Sequence, residues 1–129
     1  MNKINWIARI LAATILLQTL FFKFTAAPES VYIFTQMGVE PFGRIASGVF
    51  ELFAGILLVV PATQIFGALL ALGIMAGAIL SHLFVLGIVV QDDGGSLFGL
   101  AILVFCSSLF VLYYNRYSIQ QLLRKFVKV

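Results

Sequence analysis

Four long apolar runs constrain the fold of this chain more than any other feature of its sequence. They cover residues 4–24, 43–60, 65–90 and about 97–115. Each run is close to the roughly 20 residues that an α-helix needs to cross the hydrocarbon core of a bilayer. Only 10% of the residues are charged, whereas soluble domains contain about 25%. The sequence therefore predicts a single all-α domain over residues 1–129, a polytopic membrane protein with a four-transmembrane-helix bundle.

The segment between the first two runs predicts a short extra helix. Pro28 and Glu29 suit a helix N-terminus, and Gly38 suits the end of the helix. Three apolar residues would then share one side of it: Ile33, Phe34 and Met37. We expect this outer interfacial helix to lie flat over one mouth of the bundle, with its apolar side down. The alternative is a plain surface loop.

The tail, residues 116–129, predicts an amphipathic helix. Apolar residues recur there at helical spacing, at Ile119, Leu122, Leu123 and Phe126. Because basic residues accompany them, we expect the helix to lie on the lipid bilayer and to favour anionic headgroups over nucleic acid. The basic residues expected at that surface are Arg116, Arg124, Lys125 and Lys128.

With four spans, both chain ends lie on the same side of the membrane. Most of the basic residues lie on that side too. Lys3, Arg9 and the basic residues of the tail lie there. Lys23, at the end of the first run, and Arg44, at the start of the second, lie on the opposite side. Arg9 is about one turn inside, where it could reach headgroups, a carboxylate or a helix C-terminus. The opposite side holds the acidic residues Glu29, Glu40, Asp92 and Asp93. Positive residues favour the cytoplasm, so the sequence predicts a multi-pass protein of the bacterial cytoplasmic (inner) membrane with both termini cytoplasmic. The first run is then a retained span rather than a signal peptide.

Glu51, in the middle of the second run, needs a partner. A charged side chain in the bilayer core costs about 2.5–3.5 kcal/mol on insertion scales, so it usually turns inward and pairs. At about 100° per residue, Glu51 shares a stripe with Arg44, Gly48 and Gly55, and Ser47 lies beside it. We therefore expect helices from the first three runs to enclose Glu51. Its candidate partners are Arg9, Gln18, Lys23, Arg44 and His82.

Polar residues from three runs converge at one depth. Glu51 and His82 both lie about 12 Å below the boundary opposite the chain ends, at a rise of about 1.5 Å per residue. Gln18 lies at nearly the same level, and Lys23 and Arg44 lie just above it. The third run adds a stripe whose small residues leave room beside the imidazole, formed by Ala71, Met75, Ala78 and His82. The candidates for ligand binding or proton handling are therefore Glu51, His82, Arg44, Gln18, Lys23 and Met75.

This cluster admits two interpretations. A carboxylate and an imidazole exchange protons near neutral pH, and a cationic rim attracts an anion or stabilises a negatively charged head group. Alternatively, the cluster only fixes helix register, since interhelical polar contacts average about 0.6 kcal/mol. No metal site is predicted, because one His and one Glu do not complete one.

Separately, Gly73 and Gly77 form a small-xxx-small pair that would suit a homo-oligomer. The single cysteine, Cys106, excludes an internal disulfide.

Several strings of this chain resemble the DoxX family of four-span membrane proteins. They include an early Arg9, a closing Lys23-Phe24, ELFAGILLVVP in the second run and His82 in the third. The stretches FFKFTAAPESVYIF, EPFGRIASGVFELFAGILL and GAILSHLFVLGIVVQDDGG are similar to a bacterial DoxX-like subgroup especially. Members of the wider family are associated with thiosulfate:quinone oxidoreductase as a small subunit and with membrane thiol-redox complexes, and distant relatives act in receptor assembly. The resemblance implies a four-helix bundle that works beside a membrane or soluble redox partner protein.

Together, the cluster and the resemblance favour an accessory subunit over an autonomous enzyme. The sequence has no haem ligand pair, flavin fold, Gly-rich nucleotide loop or paired thiols, so no cofactor is evident, and a quinone is the candidate ligand. The hypothesis is a subunit of a quinone- or thiol-linked redox system that binds a small amphipathic ligand through the Glu/His/Arg cluster. The alternative is a non-catalytic binding, transport or assembly factor with a structural cluster. An apolar groove open to lipid beside His82 would favour the first hypothesis, and a sealed cluster the second.

Overall fold

The fold is given by a computed structural model, which describes residues 3–90 and 93–127. These residues form six α-helices: α1 (Lys3–Phe24), α2 (Pro28–Gln36), α3 (Phe42–Val59), α4 (Gln64–Ser81), α5 (Ser96–Tyr114) and α6 (Arg116–Val127). A 3₁₀ turn, Pro61–Thr63, precedes α4, and a π-helical turn, His82–Leu86, extends it. Asp92 and Lys128, both named in the sequence-based expectations, lie outside the described residues.

Four helical segments within the described residues are long and apolar enough to cross a membrane: Lys3–Phe24, Phe42–Val59, Pro61–Leu86 and Ser96–Tyr114. This confirms the predicted all-α polytopic membrane fold. The third segment, expected to continue to residue 90, ends earlier. It ends because Gly87 has a φ of +83°, a conformation that glycine adopts readily and other residues rarely do.

The four spans pack in a ring. Helix α1 contacts α3 and α5, and α4 contacts the same two helices, so α1 and α4 occupy opposite corners. Small side chains at the centre let the helices approach closely, and Ala12, Ala54, Ala68 and Ala71 are all 0% exposed. Ala71 therefore belongs to the core and not to a ligand-facing wall, contrary to the stripe proposed from the sequence. At Gly67 the helices α3 and α4 approach closely, since a Cβ there would lie 2.6 Å from the backbone nitrogen of Leu58.

A polar cluster joins the helix ends beside α6, which we call the α6 end of the bundle. The Gln64 Oε1 atom accepts hydrogen bonds from the side-chain amides of Asn5, at 2.9 Å, and Asn115, at 3.0 Å. Arg9 is buried, and its Nε donates to the carbonyl oxygen of Leu58 at 2.6 Å. Leu58 is in the last turn of α3, where carbonyl groups lack helical partners and the helix dipole is negative. Arg9 thus caps a helix C-terminus, which is one of the roles considered for it.

Two surfaces of the fold are largely exposed among the described residues. No residue of α6 is buried, and its apolar residues Leu123 and Phe126 are exposed. On α4, Gly73 and Gly77 are exposed, and a Cβ added at either would meet nothing within 4 Å. The glycine face is therefore free for another helix, and the homo-oligomer through it stays a prediction.

Candidate functional site

The bundle contains a cavity of about 480 Å³ at the end opposite α6, which we call the α2-end cavity. Every span contributes to its walls, and α2 covers it. Four α2 residues line it, Glu29, Ser30, Ile33 and Phe34, together with Met37 directly after the helix. The interfacial helix therefore forms, and its apolar side faces the bundle as expected. The volume lies within the roughly 300–1,000 Å³ of typical small-molecule sites.

The cavity is not sealed. Its lining includes Gln18 and Phe22 on α1 and Gly77 on α4, and all three residues are exposed. Each of them lies inside a helix that is long and apolar enough to span the membrane. An opening beside any of these residues would face the lipid chains around the bundle.

Glu51 is enclosed by the helices and forms an ion pair with Lys23. The carboxylate is 3% exposed, and its Oε1 lies 2.5 Å from the Lys23 ammonium nitrogen. Thr19 donates a hydrogen bond to Oε2 at 2.9 Å, and the Lys23 ammonium also donates to Ser47 Oγ at 3.0 Å. Among the five candidate partners, the structure identifies Lys23. Three donors are available on a lysine ammonium, so one remains beyond the bonds to Glu51 and Ser47.

Arg44 does not take part in this pair. Its Nε donates to the Glu40 carboxylate at 2.5 and 3.0 Å, and its Nη1 donates to the carbonyl oxygen of Lys23. Arg44 does not line the cavity. Two acidic residues, Glu29 and Asp93, do line it. The prediction of a cationic rim formed by Lys23 and Arg44 is therefore wrong, because Arg44 forms an ion pair with Glu40, four residues earlier in the chain.

His82 lies on the opposite wall of the cavity, at the start of the π-helical turn. It is 5% exposed, and its Nδ1 lies 2.9 Å from the carbonyl oxygen of Gly87. The Gly87 N–H in turn donates to the His82 carbonyl at 2.7 Å. The ring also packs edge-on against Phe98, with centroids 5.5 Å apart. The π-helical turn and its glycine thus hold the imidazole in one orientation.

Asp93, which sequence reasoning did not select as a site residue, lines the same cavity. Its Oδ1 accepts from the backbone N–H groups of Val90 and Gly95, at 3.0 and 2.8 Å, and its Oδ2 accepts from that of Leu97 at 3.2 Å. Burial alone would raise the pKa of Asp93. The three backbone hydrogen bonds and the electrostatic interaction with His82 outweigh it and lower that pKa. The sequence signal for this role was an Asp followed by two glycines just before an apolar run.

The first span lines the cavity with Gln18, which was expected there, and with Thr19, which was not. Gln18 lines the cavity but is exposed, and its side chain makes no hydrogen bond to any described residue. Thr19 is the residue that bonds Glu51. It lies one turn before Lys23, so its spacing to that lysine was the available signal. From the expected third-span stripe, Met75, Ala78 and His82 line the cavity.

The chemistry of this site is that of an apolar chamber with two polar ends. One end is the Lys23–Glu51 pair and the other is His82 with Asp93 nearby. Among the described residues, no three His, Cys, Asp or Glu side chains are grouped so that they could hold a metal ion. The arrangement suits an uncharged ring with hydrogen-bonding groups and an apolar tail.

The family model described as the DoxX-like family matches residues 7–109, which include all four spanning segments except the ends of the first and last. Neither a curated protein nor a solved structure matches the chain.

Proposed function

Because this chain belongs to the DoxX-like family, we propose that it binds a small amphipathic molecule of the quinone type in the α2-end cavity. The protein then serves as an accessory subunit of a quinone- or thiol-linked redox system, in which a membrane or soluble partner protein carries the redox centre. It is placed in a bacterial cytoplasmic membrane with both termini inside. The cavity then lies in the outer half of the bilayer.

One observation carries this proposal: a single cavity reaches both Lys23 and His82 and is exposed at membrane depth. A quinone head group has two opposed oxygens that need hydrogen-bond partners, and its tail needs a way out into lipid. The apolar walls, which include Phe34, Met75 and Leu100, suit the ring and the start of the tail. The adaptable Met75 side chain would accommodate substituents of different size.

The test fills the cavity without touching its polar groups. Ala78 lines the cavity, whereas Leu80, two residues away, is outside its lining and 53% exposed. Calorimetry would measure the binding of decylubiquinone as it is titrated into purified protein in lipid nanodiscs. We expect Ala78→Phe to weaken binding at least tenfold, with Leu80→Phe close to the unmodified protein. Equal binding by both variants would show that decylubiquinone binds elsewhere, and no binding of either decylubiquinone or its reduced form by the unmodified protein would refute the proposal.

The partner is tested separately. Gentle purification followed by mass spectrometry should recover an oxidoreductase component with the unmodified chain. Recovery of a receptor or transporter subunit instead would favour an assembly factor.

The structural alternative has one observation in its favour. Glu51 receives all its hydrogen bonds from within the bundle, from Lys23 and Thr19, as expected of a pair that fixes helix register. In that case Glu51→Gln would lower thermal stability and leave ligand binding unchanged. Under the proposed function, His82→Phe, which keeps a ring against Phe98, would reduce the binding of decylubiquinol, the reduced form of the probe, and leave the melting temperature nearly unchanged.

A further inference from the structure

The hydrogen bond between His82 and Gly87 determines which ring nitrogen carries the proton. A backbone carbonyl oxygen only accepts, so the 2.9 Å contact requires Nδ1 of His82 to be the donor. In the neutral ring the proton is then on Nδ1, and Nε2 is an acceptor. The second bond, from the Gly87 N–H to the His82 carbonyl, fixes Gly87 against the same residue and keeps its carbonyl in place.

The Nε2 atom is open to the cavity. No described residue makes a hydrogen bond to it, although His82 lines the cavity. The buried side-chain atoms that lack partners among the described residues are Asn5 Oδ1, Arg9 Nη2 and Ser108 Oγ. Nε2 of His82 also lacks a partner but is not one of these buried atoms, so part of its surface is exposed. Because His82 lines the cavity, we take that surface to face the cavity. A neutral imidazole therefore presents an unpaired acceptor to whatever occupies the cavity.

From this geometry we infer that the cavity selects a head group that carries a hydroxyl, which donates to Nε2 of His82. The inference rests on the proposed function and makes it more specific: among molecules of the quinone type, the reduced, dihydroxylated form or another phenol is favoured over the oxidised form. An oxidised quinone offers only acceptor oxygens, so it would leave Nε2 facing another acceptor. The opposite end of the cavity is different, since the Lys23 ammonium donates and suits an oxygen of either form.

The test uses two probes that differ only in the donor. These are 4-nonylphenol and its methyl ether, 4-nonylanisole. The chain contains one histidine, so [15N]histidine labelling gives one pair of ring nitrogen resonances in nanodiscs at pH 8. We expect the ligand-free protein to show the proton on Nδ1. The phenol should shift the Nε2 resonance, and the ether should bind about three- to tenfold more weakly without that shift.

A variant isolates the contribution of His82. His82→Phe keeps an aromatic ring against Phe98 and removes the acceptor. We expect it to lower the affinity for the phenol to that of the ether and to leave the affinity for the ether unchanged. If this variant does not fold, the resonances of the unmodified protein still decide the question.

Three results separate the inference from the proposed function. A proton on Nε2 in the ligand-free protein would overturn the inference. Equal affinity for phenol and ether, with both displaced by decylubiquinone, would overturn the inference alone and leave the cavity as a ligand site. Absence of binding by both probes and by decylubiquinone would refute the proposed function, and the inference with it.

Discussion

The Lys23–Glu51 ion pair is the most consequential contact at the scale of single residues. Both side chains are largely buried, at 15% and 4% exposure. Removing one member of such a pair leaves the other charge without compensation, which typically costs about 3–5 kcal/mol, whereas replacing both with apolar groups is often neutral. We therefore expect Lys23→Met to lower the melting temperature in detergent strongly. The double variant Lys23→Met/Glu51→Leu should recover most of the loss.

The pair formed by Glu40 and Arg44 provides the control for this experiment. It has an ion-pair contact of the same length, 2.5 Å, but its carboxylate side chain is 18% exposed, compared with 4% for Glu51. Arg44→Met should destabilise the protein less than Lys23→Met. If the double variant at Lys23 and Glu51 melts as low as the single variant, the cost comes from lost packing and not from the stranded carboxylate.

Asp93 predicts how stability depends on pH. Its folded-state pKa lies below the ordinary value, so ionised Asp93 stabilises the fold above the unfolded pKa of about 3.9. That contribution is lost as the pH falls through the lower, folded-state pKa. We expect Asp93→Ala to cost about 1 kcal/mol at neutral pH, as for other lost caps at helix starts. The melting temperatures of the two proteins should begin to approach each other near pH 4 and converge below the folded-state pKa of Asp93. A difference that stays constant from pH 7 to pH 3 would show that the charge of Asp93 is not involved.

The inward-facing residues could be predicted from the sequence only in part. Glu51 was recognisable because a carboxylate in an apolar run must find a partner, and Lys23 was one of five candidates. Choosing among them depends on helix rotation, and one residue corresponds to about 100°. That is why Gln18 was selected in place of Thr19. The interaction of Arg44 with Glu40 was not foreseen, because Glu40 lies in the connection before α3 and its distance to the helix depends on the loop.

At the scale of helices, α6 has no buried residue and contacts α5 only weakly among the described residues. Its exposed Leu123 and Phe126 and its basic Arg124 and Lys125 suit the surface of an anionic membrane. Spin labels on full-length Cys106→Ser protein would test this at Leu123→Cys and at Gln121→Cys, a polar position. In nanodiscs with anionic lipid, the label at position 123 should collide mainly with oxygen and the label at 121 with a water-soluble nickel complex.

The charges of α6 add a second measurement to this prediction. Each basic residue near an anionic surface contributes about 1 kcal/mol. Arg124→Gln with Lys125→Gln should therefore make position 123 more accessible to the nickel complex, and lowering the anionic lipid content should have the same effect. Equal accessibility of positions 121 and 123 in every lipid would mean that α6 does not lie on the membrane.

The helices themselves were predictable because their signals are local. Length and hydropathy identified the spans, and the spacing of Ile33, Phe34 and Met37 identified the covered side of α2. The end of the third span was not predictable to the same degree. Residues 88–90 remain apolar beyond the helix, and only the backbone conformation at Gly87 shows where the π-helical turn stops.

At the scale of the whole molecule, the two ends of the bundle differ. The α6 end is closed by neutral amides, in which Gln64 joins Asn5 and Asn115, while the α2 end encloses a cavity. The amide cluster could not be predicted from the sequence. Its members are far apart along the chain, and polar residues at the ends of spans usually face water or headgroups. The sequence predicts that Glu51 and His82 lie at one depth in the bundle, where the cavity is found. It does not predict the volume of the cavity.

The orientation of the molecule decides which compartment supplies the ligand and the partner. Six basic residues are on the α6 side in sequence terms, namely Lys3, Arg9, Arg116, Arg124, Lys125 and Lys128, against Lys23 and Arg44 on the other side. Because cytoplasmic segments retain positive charge, α6 should be inside and α2 outside. Gln36 on α2 and Gln120 on α6 are both exposed, so each accepts a cysteine without loss of core packing.

A membrane-impermeant maleimide tests this orientation in whole cells. In a Cys106→Ser background, Gln36→Cys should react in intact cells with the outer membrane permeabilised, and Gln120→Cys should react only after the inner membrane is opened. The opposite pattern would place the cavity on the cytoplasmic half, where cytoplasmic reductants and partner proteins would reach it first. Labelling of both positions in intact cells would show mixed insertion, as expected if the six-to-two charge difference were too small to orient the bundle.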